Sequence, residues 1–92
     1  MNKAELVNKV AQSTNQSKSV TREVLENFLE AVGDTLASGN NIEIRGFGSF
    51  KVKRRKAQVA RNPRTGEKVD IPSRFVPAFK PSRNLVKRVA KK

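Results

Sequence analysis

The sequence predicts an α+β fold: two amphipathic helices, antiparallel strands joined through one long basic hairpin, and a short closing helix. Three observations lead there. Apolar residues recur at helical spacing as far as Gly39, the pattern changes to alternation at Ile42-Glu43-Ile44-Arg45, and the stretch from Lys51 to Phe75 is too charged to form a core. The element order is α-α-β-β-(arm)-β-α, with no internal repeat and no linker long enough to divide domains. Residues 1–92 are therefore read as a single domain: a helical region over 1–39, a sheet over 40–80 carrying an arm at 51–75, and a helix within 81–92.

Asn2 followed by Glu5 has capping-box spacing, and Leu6, Val7, Val10 and Ala11 fall on one face of a first helix that ends near Ser13. A polar run from Ser13 to Ser17 makes the connection, with Ser17 or Ser19 available to cap the next helix. Val20, Val24, Leu25, Phe28, Leu29, Val32 and Leu36 then form the apolar stripe of the longest helix, stopped at Gly39. Gly46-Phe47-Gly48-Ser49-Phe50 reads as a glycine-flanked reversal whose two Phe residues, with Phe28 and Phe79, belong in the core. Beyond the arm, Val76-Pro77-Ala78-Phe79-Lys80 is a short strand in which Pro77 fits an edge or a strand start. Pro81-Ser82 opens a last helix with Leu85, Val86 and Val89 on its buried side and Arg83, Lys87, Arg88, Lys91 and Lys92 on the others.

The arm holds nine Lys or Arg against only Glu67 and Asp70, and its aliphatics larger than Ala are Val52, Val59, Val69 and Ile71. Such β-branched residues spaced among charges suit a solvated two-stranded ribbon. Its middle, Arg61-Asn62-Pro63-Arg64-Thr65-Gly66-Glu67, is written in turn chemistry: Asn62 can hydrogen-bond its own backbone, Pro63 presets φ, and Gly66 accepts a positive φ. Removing these 25 residues leaves 67 for the body, a size at which a monomer is marginal. The stripe on the second helix is thus expected to pair with a copy of itself, although some of it can cover the chain's own sheet.

Charge is divided unevenly. Residues 1–44 hold four basic and six acidic side chains, and residues 45–92 hold sixteen and two, so the net +12 belongs to the second half. That asymmetry points to a polyanion as partner. The chain has no Cys, His, Trp or Tyr, which removes disulfides, thiolate metal sites and most proton-transfer chemistry. The expectation is a protein that is not an enzyme and carries no metal or cofactor. Charges interrupt the N-terminal apolar residues, and no apolar run nears ~18 residues, so neither a signal core nor a membrane span is expected.

At Gly46-Phe47-Gly48-Ser49-Phe50, Ala60-Arg61-Asn62-Pro63-Arg64-Thr65-Gly66 and Val76-Pro77-Ala78-Phe79-Lys80-Pro81, the chain resembles the bacterial HU and integration host factor family of histone-like DNA-bending proteins. The resemblance runs from Met1-Asn2-Lys3 to the last basic helix. It implies an intertwined dimer in the bacterial nucleoid, hence the cytoplasm, whose two β-ribbon arms embrace duplex DNA through the minor groove. It also implies that the tip proline, Pro63 here, wedges between base pairs and bends the duplex, with bent, nicked or flexible DNA preferred. A homodimer is expected, and a heterodimer is the alternative. The run from Ile42 to Phe50 and the run Phe79-Lys80-Pro81 look like the beta subunit of integration host factor, while the opening MNKAELV looks like HU. In the beta subunit the arginine matching Arg45 enters the minor groove and the glutamate matching Glu43 orients it. Gln58 departs from the Arg, Ser or Thr usual in the family, and Ser82 from the usual glycine.

The candidate DNA contacts are Lys53, Arg54, Arg55 and Lys56 on the outgoing arm strand, Arg61, Asn62, Pro63 and Arg64 at the tip, and Lys68 and Arg74 on the return. From the body come Lys3, Arg45, Lys80 and Arg83. The candidate core and dimer residues are Val24, Phe28, Leu29, Val32, Leu36, Phe47, Phe50 and Phe79. A charge run is usually a solvated surface and a turn proline needs no function, so concentration of charge beside one hairpin is what singles these residues out. Readout of base identity is expected to be weak, because minor-groove edges distinguish mainly A·T from G·C. A site-preferring subunit, an RNA-binding basic protein and a nucleic-acid enzyme are the rival readings. The last two lack, respectively, an aromatic stacking platform on the ribbon and a carboxylate cluster in the basic half.

Overall fold

A computed structural model describes residues 1–91; of the basic positions expected on the last helix, Lys92 lies outside them. The elements are α1 (Lys3–Thr14), α2 (Lys18–Ala37), β1 (Ile42–Ile44), β2 (Gly48–Arg55), β3 (Gln58–Arg61), β4 (Lys68–Ile71), β5 (Arg74–Pro81) and α3 (Arg83–Ala90). They fall into two compact units, Met1–Thr35 and the remainder from Leu36.

In the first unit, Asn2 caps α1 by accepting a hydrogen bond from the Glu5 N–H at 2.9 Å, which satisfies one of the orphan donors of the first turn. The helix runs to Thr14 and closes on Asn15, which takes the left-handed conformation (φ 56°) that Asn tolerates better than most residues. Ser17, not Ser19, caps α2, its Oγ accepting from the Val20 N–H at 3.2 Å. Val7 (2% exposed) and Ala11 (4%) are this unit's buried apolar residues, with Thr21 also buried and donating to the Ser17 carbonyl at 2.8 Å.

The stripe of α2 is formed as expected, but its own chain does not bury it. Val24 is 64% exposed, Phe28 53% and Leu29 48%, and Val32 and Leu36 are half-buried. Phe47 and Phe79 also remain more than two-fifths exposed, and Phe50 is half-buried. The expectation that the Phe residues form a core is corrected for the single subunit. Two buried apolar side chains among the described residues cannot offset the entropy of ordering them, at roughly 1–2 kcal/mol per residue for the backbone alone.

The second unit holds an antiparallel sheet in the order β1-β2-β5 and a separate two-stranded ribbon, β3-β4. Ile44 to Phe47 make the first reversal, with the Phe47 N–H donating to the Ile44 carbonyl at 3.0 Å and Gly46 at φ 84°. A positive φ at the third turn position is what a glycine supplies without strain. Arg45 therefore stands in the turn and not on the strand. Phe79 gathers the aromatics, its ring centroid 5.5 Å from Phe47 and 5.0 Å from Phe50, both tilted. Pro77 lies on β5, an edge strand, where its missing N–H breaks no interior ladder.

Gly48 is held by close approach. A Cβ there would lie 2.6 Å from the Lys80 carbonyl oxygen and 2.7 Å from the Phe79 ring. Gly48→Ala is accordingly expected to destabilise the fold by about 1–3 kcal/mol, read as a lowered denaturant midpoint at unchanged slope. An unchanged midpoint would show that β2 and β5 separate freely at this rung.

The ribbon departs from the continuous hairpin expected over 51–75. β2 and β5 stay paired as far as Arg55 opposite Arg74, pairing then lapses at Lys56-Ala57 and Pro72-Ser73, and it resumes at Gln58 opposite Ile71. Pro72 has no N–H to donate, so a ladder cannot pass through it unbroken.

Candidate nucleic-acid interface

The strand register decides which cations act together. Residues two apart on a strand share a face, and residues opposite one another across the ladder share it too. On this basis Lys51, Lys53 and Arg55 of β2 fall on one face with Arg74 and Lys80 of β5, joined by Glu43 and Ser49. Ile42, Ile44, Gly48, Phe50, Val52, Phe75, Pro77 and Phe79 occupy the other. Successive cations along β2 are thus about 7 Å apart, in one row. Arg55 and Arg74 are directly opposite, a like-charge pair that is unfavourable until an anion bridges it.

The register separates the candidates Lys53, Arg54, Arg55 and Lys56 by face. Arg54 faces the apolar side, opposite Phe75, and Lys56 lies in the interruption. Lys51 belongs to the row but is absent from the contacts expected of the sequence; its parity with Lys53 and Arg55 was the available signal.

Beyond the interruption the ribbon again has two faces. Gln58, Ala60, Val69 and Ile71 carry no charge, whereas Val59, Arg61, Lys68 and Asp70 make up the charged side, with Arg61 opposite Lys68. The tip is fixed by its own hydrogen bonds. Asn62 Oδ1 accepts from the Arg64 N–H at 2.9 Å, the Asn62 carbonyl accepts from the Gly66 N–H at 2.7 Å, and the Asn62 N–H donates to the Glu67 carbonyl at 2.8 Å. Gly66 takes φ 74° to close the turn. Pro63 is exposed at the apex, flanked by exposed Arg61 and Arg64.

The body candidates divide. Glu43 lies on the basic face while Arg45 sits in the turn, and the two form no ion pair, so the orienting contact implied by the resemblance is not made in the free chain. A cleft of about 260 Å³ is lined by Glu43, Arg45, Lys51, Lys80 and Ser82, among others. Arg83 is the exposed first residue of α3. In the helical unit the Lys3 ammonium lies 3.1 Å from Glu26 Oε2, both about half exposed, a surface pair that a phosphate could displace at little expense. Ser82 caps α3, accepting from the Leu85 N–H at 3.0 Å, while its own N–H is committed to the Phe47 carbonyl at 2.8 Å.

Among the described residues no group of three or more His, Cys, Asp or Glu could hold a metal ion, and no helix is long and apolar enough to cross a membrane. The arrangement can do one thing well, which is to lay a row of cations and an apolar-tipped ribbon against a polyanion.

Comparison with known proteins agrees. The model of the bacterial DNA-binding protein family matches residues 1–90. The sequence is 42% identical to DNA-binding protein HU 1 of Bacillus subtilis (strain 168) over 92 residues, all of both chains. It is 43% identical to integration host factor subunit beta of Vibrio cholerae serotype O1 over 90 residues, covering 97% of this chain and 98% of that one. Among solved structures, an Anabaena HU–DNA cocrystal structure matches over 100% of both chains with TM-score 0.92 and 40% identity. The chain therefore belongs to the bacterial DNA-binding protein family, the histone-like proteins that include HU and integration host factor.

Proposed function

We propose that two copies of this protein form an architectural unit of the bacterial nucleoid, in the cytoplasm, which binds duplex DNA through the minor groove and bends it by inserting Pro63. The observation that carries the reading is the register: it gathers Lys51, Lys53, Arg55, Arg74 and Lys80 on one face and continues into a ribbon whose apex is an exposed proline between two arginines. The row would follow the backbone, each neutralised phosphate releasing condensed counterions. Arg61 and Arg64 suit the negative potential of a narrow minor groove. An apolar wedge that partly unstacks a base step is how minor-groove architectural proteins work, this family among them. The bent duplex then exposes more backbone to Lys3, Lys80 and Arg83.

The exposed stripe Val24, Phe28, Leu29 supports a dimer, since large apolar patches on small proteins mark interaction surfaces. Weak readout of sequence is supported by Arg45 standing apart from Glu43, which leaves DNA deformability as the main discriminator. Duplex DNA is favoured over RNA because the basic face carries no aromatic ring on which an unpaired base could stack; Phe75 is on the opposite face. Loss of ring closure by Pro63→Ala tests the wedge.

Gln58 provides an independent test. It lies on the uncharged side of the ribbon, opposite Ile71. Gln58→Arg is expected to steepen the dependence of log affinity on log salt by about one unit for each additional phosphate neutralised. An unaltered slope in a salt titration would mean that this rung does not approach phosphate.

A further inference from the structure

Arg45 occupies the second position of a turn whose backbone is fastened at three points. The Phe47 N–H donates to the Ile44 carbonyl at 3.0 Å within the turn. The other two ties come from one residue 36 positions beyond Gly46: the Ser82 hydroxyl donates to the Gly46 carbonyl at 2.9 Å, and the Ser82 N–H donates to the Phe47 carbonyl at 2.8 Å. The same hydroxyl oxygen accepts from the Leu85 N–H at 3.0 Å, so the first turn of α3 backs the connection. Arg45 and Ser82 line one cleft with Lys51 and Lys80, and among the described residues no carboxylate is paired with the Arg45 guanidinium. What can direct Arg45 in this chain is therefore the backbone under it and not a partner side chain.

We propose that Ser82 is a positioning residue for DNA binding: through its hydroxyl, which holds the Gly46 carbonyl beside the backbone tie to Phe47, it fixes the direction in which Arg45 meets the duplex. The inference rests on Arg45 being a DNA contact, as the family resemblance implies. Pre-organisation of the turn is the cause. A long arginine on a turn lacking the side-chain tie at Gly46 has more backbone as well as side-chain freedom to lose on binding, whereas with all three ties in place mainly the side chain is ordered. Glycine at position 82 would retain a serviceable helix start, because glycine is only slightly inferior to serine as a cap, and would keep the N–H bond to the Phe47 carbonyl, but would have no donor for Gly46.

The test is a double-mutant cycle read as affinity for nicked duplex by fluorescence anisotropy, using full-length wild type, Arg45→Ala, Ser82→Gly and the double variant. Arg61→Ala is made in both backgrounds as the control. Arg45→Ala is expected to weaken binding about tenfold in the wild-type background and at most about twofold beside Ser82→Gly. Arg61→Ala should cause the same loss in both, and Ser82→Thr, which keeps the hydroxyl, should restore most of the effect of Arg45→Ala. Equal losses from Arg45→Ala in both backgrounds would overturn the proposal. So would a Ser82→Gly protein in which the Arg45 and Arg61 effects shrink together, because Ser82 would then support the fold generally. If Arg45→Ala has no effect even in the wild-type background, Arg45 is not a DNA contact and the proposal fails with it, while the arm and its wedge stand untouched.

Discussion

Pro63→Ala is expected to lower ring closure of linear duplex about tenfold while binding to pre-bent or nicked DNA stays within about twofold, because the wedge is needed only where stacking must be broken. Pro63 is exposed at the apex, and the bonds that close the tip run through Asn62, Gly66, Arg64 and Glu67. None uses the proline nitrogen. The variant should therefore fold like the parent, and the loss would belong to the pyrrolidine ring alone. Smooth bending of a site by 40–90° takes on the order of 1–6 kcal/mol, which a nick largely removes. Equal ring closure by both proteins would reject intercalation while leaving the cationic face as a binding surface.

The second large effect concerns assembly. Phe28→Asp should leave the chain unfolded at micromolar concentration, because among the described residues a folded single subunit has only Val7 and Ala11 as buried apolar side chains. Truncating a core Phe typically destabilises by about 3–5 kcal/mol, and twofold symmetry doubles any such loss. A carboxylate left unpaired in the interface adds to it. Whole-domain stabilities of about 5–15 kcal/mol cannot absorb that sum. For the parent protein, the melting temperature should rise with protein concentration, as it does when folding and association are one equilibrium. A monomeric Phe28→Asp protein with a sharp, concentration-independent transition would contradict the proposed dimer.

Much of this was legible in the sequence because the signals were local. The cap at Asn2, the helical stripe of α2, the turn residues Asn62, Pro63 and Gly66, and the helix start after Pro81 each depend on neighbours a few positions away. Four features were not legible. Register was one: Lys51 shares parity with Lys53, but only the pairing of β2 with β5 reveals that Arg74 and Lys80 join them and that Arg54 shares its side with Phe75. The interruption of the ribbon was another, since Pro72 was on view but its alignment with Lys56 and Ala57 across the ladder was not. The third was the burial of Phe28, Phe47 and Phe79. Apolar periodicity marks a face that needs covering but says nothing about whose atoms cover it. The strand expected to include Arg45 ended one residue early because Gly46 adopts a positive φ to make the turn.

The row of cations, the ribbon and the exposed stripe converge on one claim, that a pair of these chains bends DNA by prying open base steps. The measurement closest to it is the end-to-end distance of a duplex shorter than the ~50 nm persistence length, followed by energy transfer between its termini, with and without a central nick. The account predicts that saturating protein shortens both duplexes, and that the intact one is bound more weakly by roughly the work of unstacking it. Saturated binding that leaves the intact duplex at its free length would contradict it.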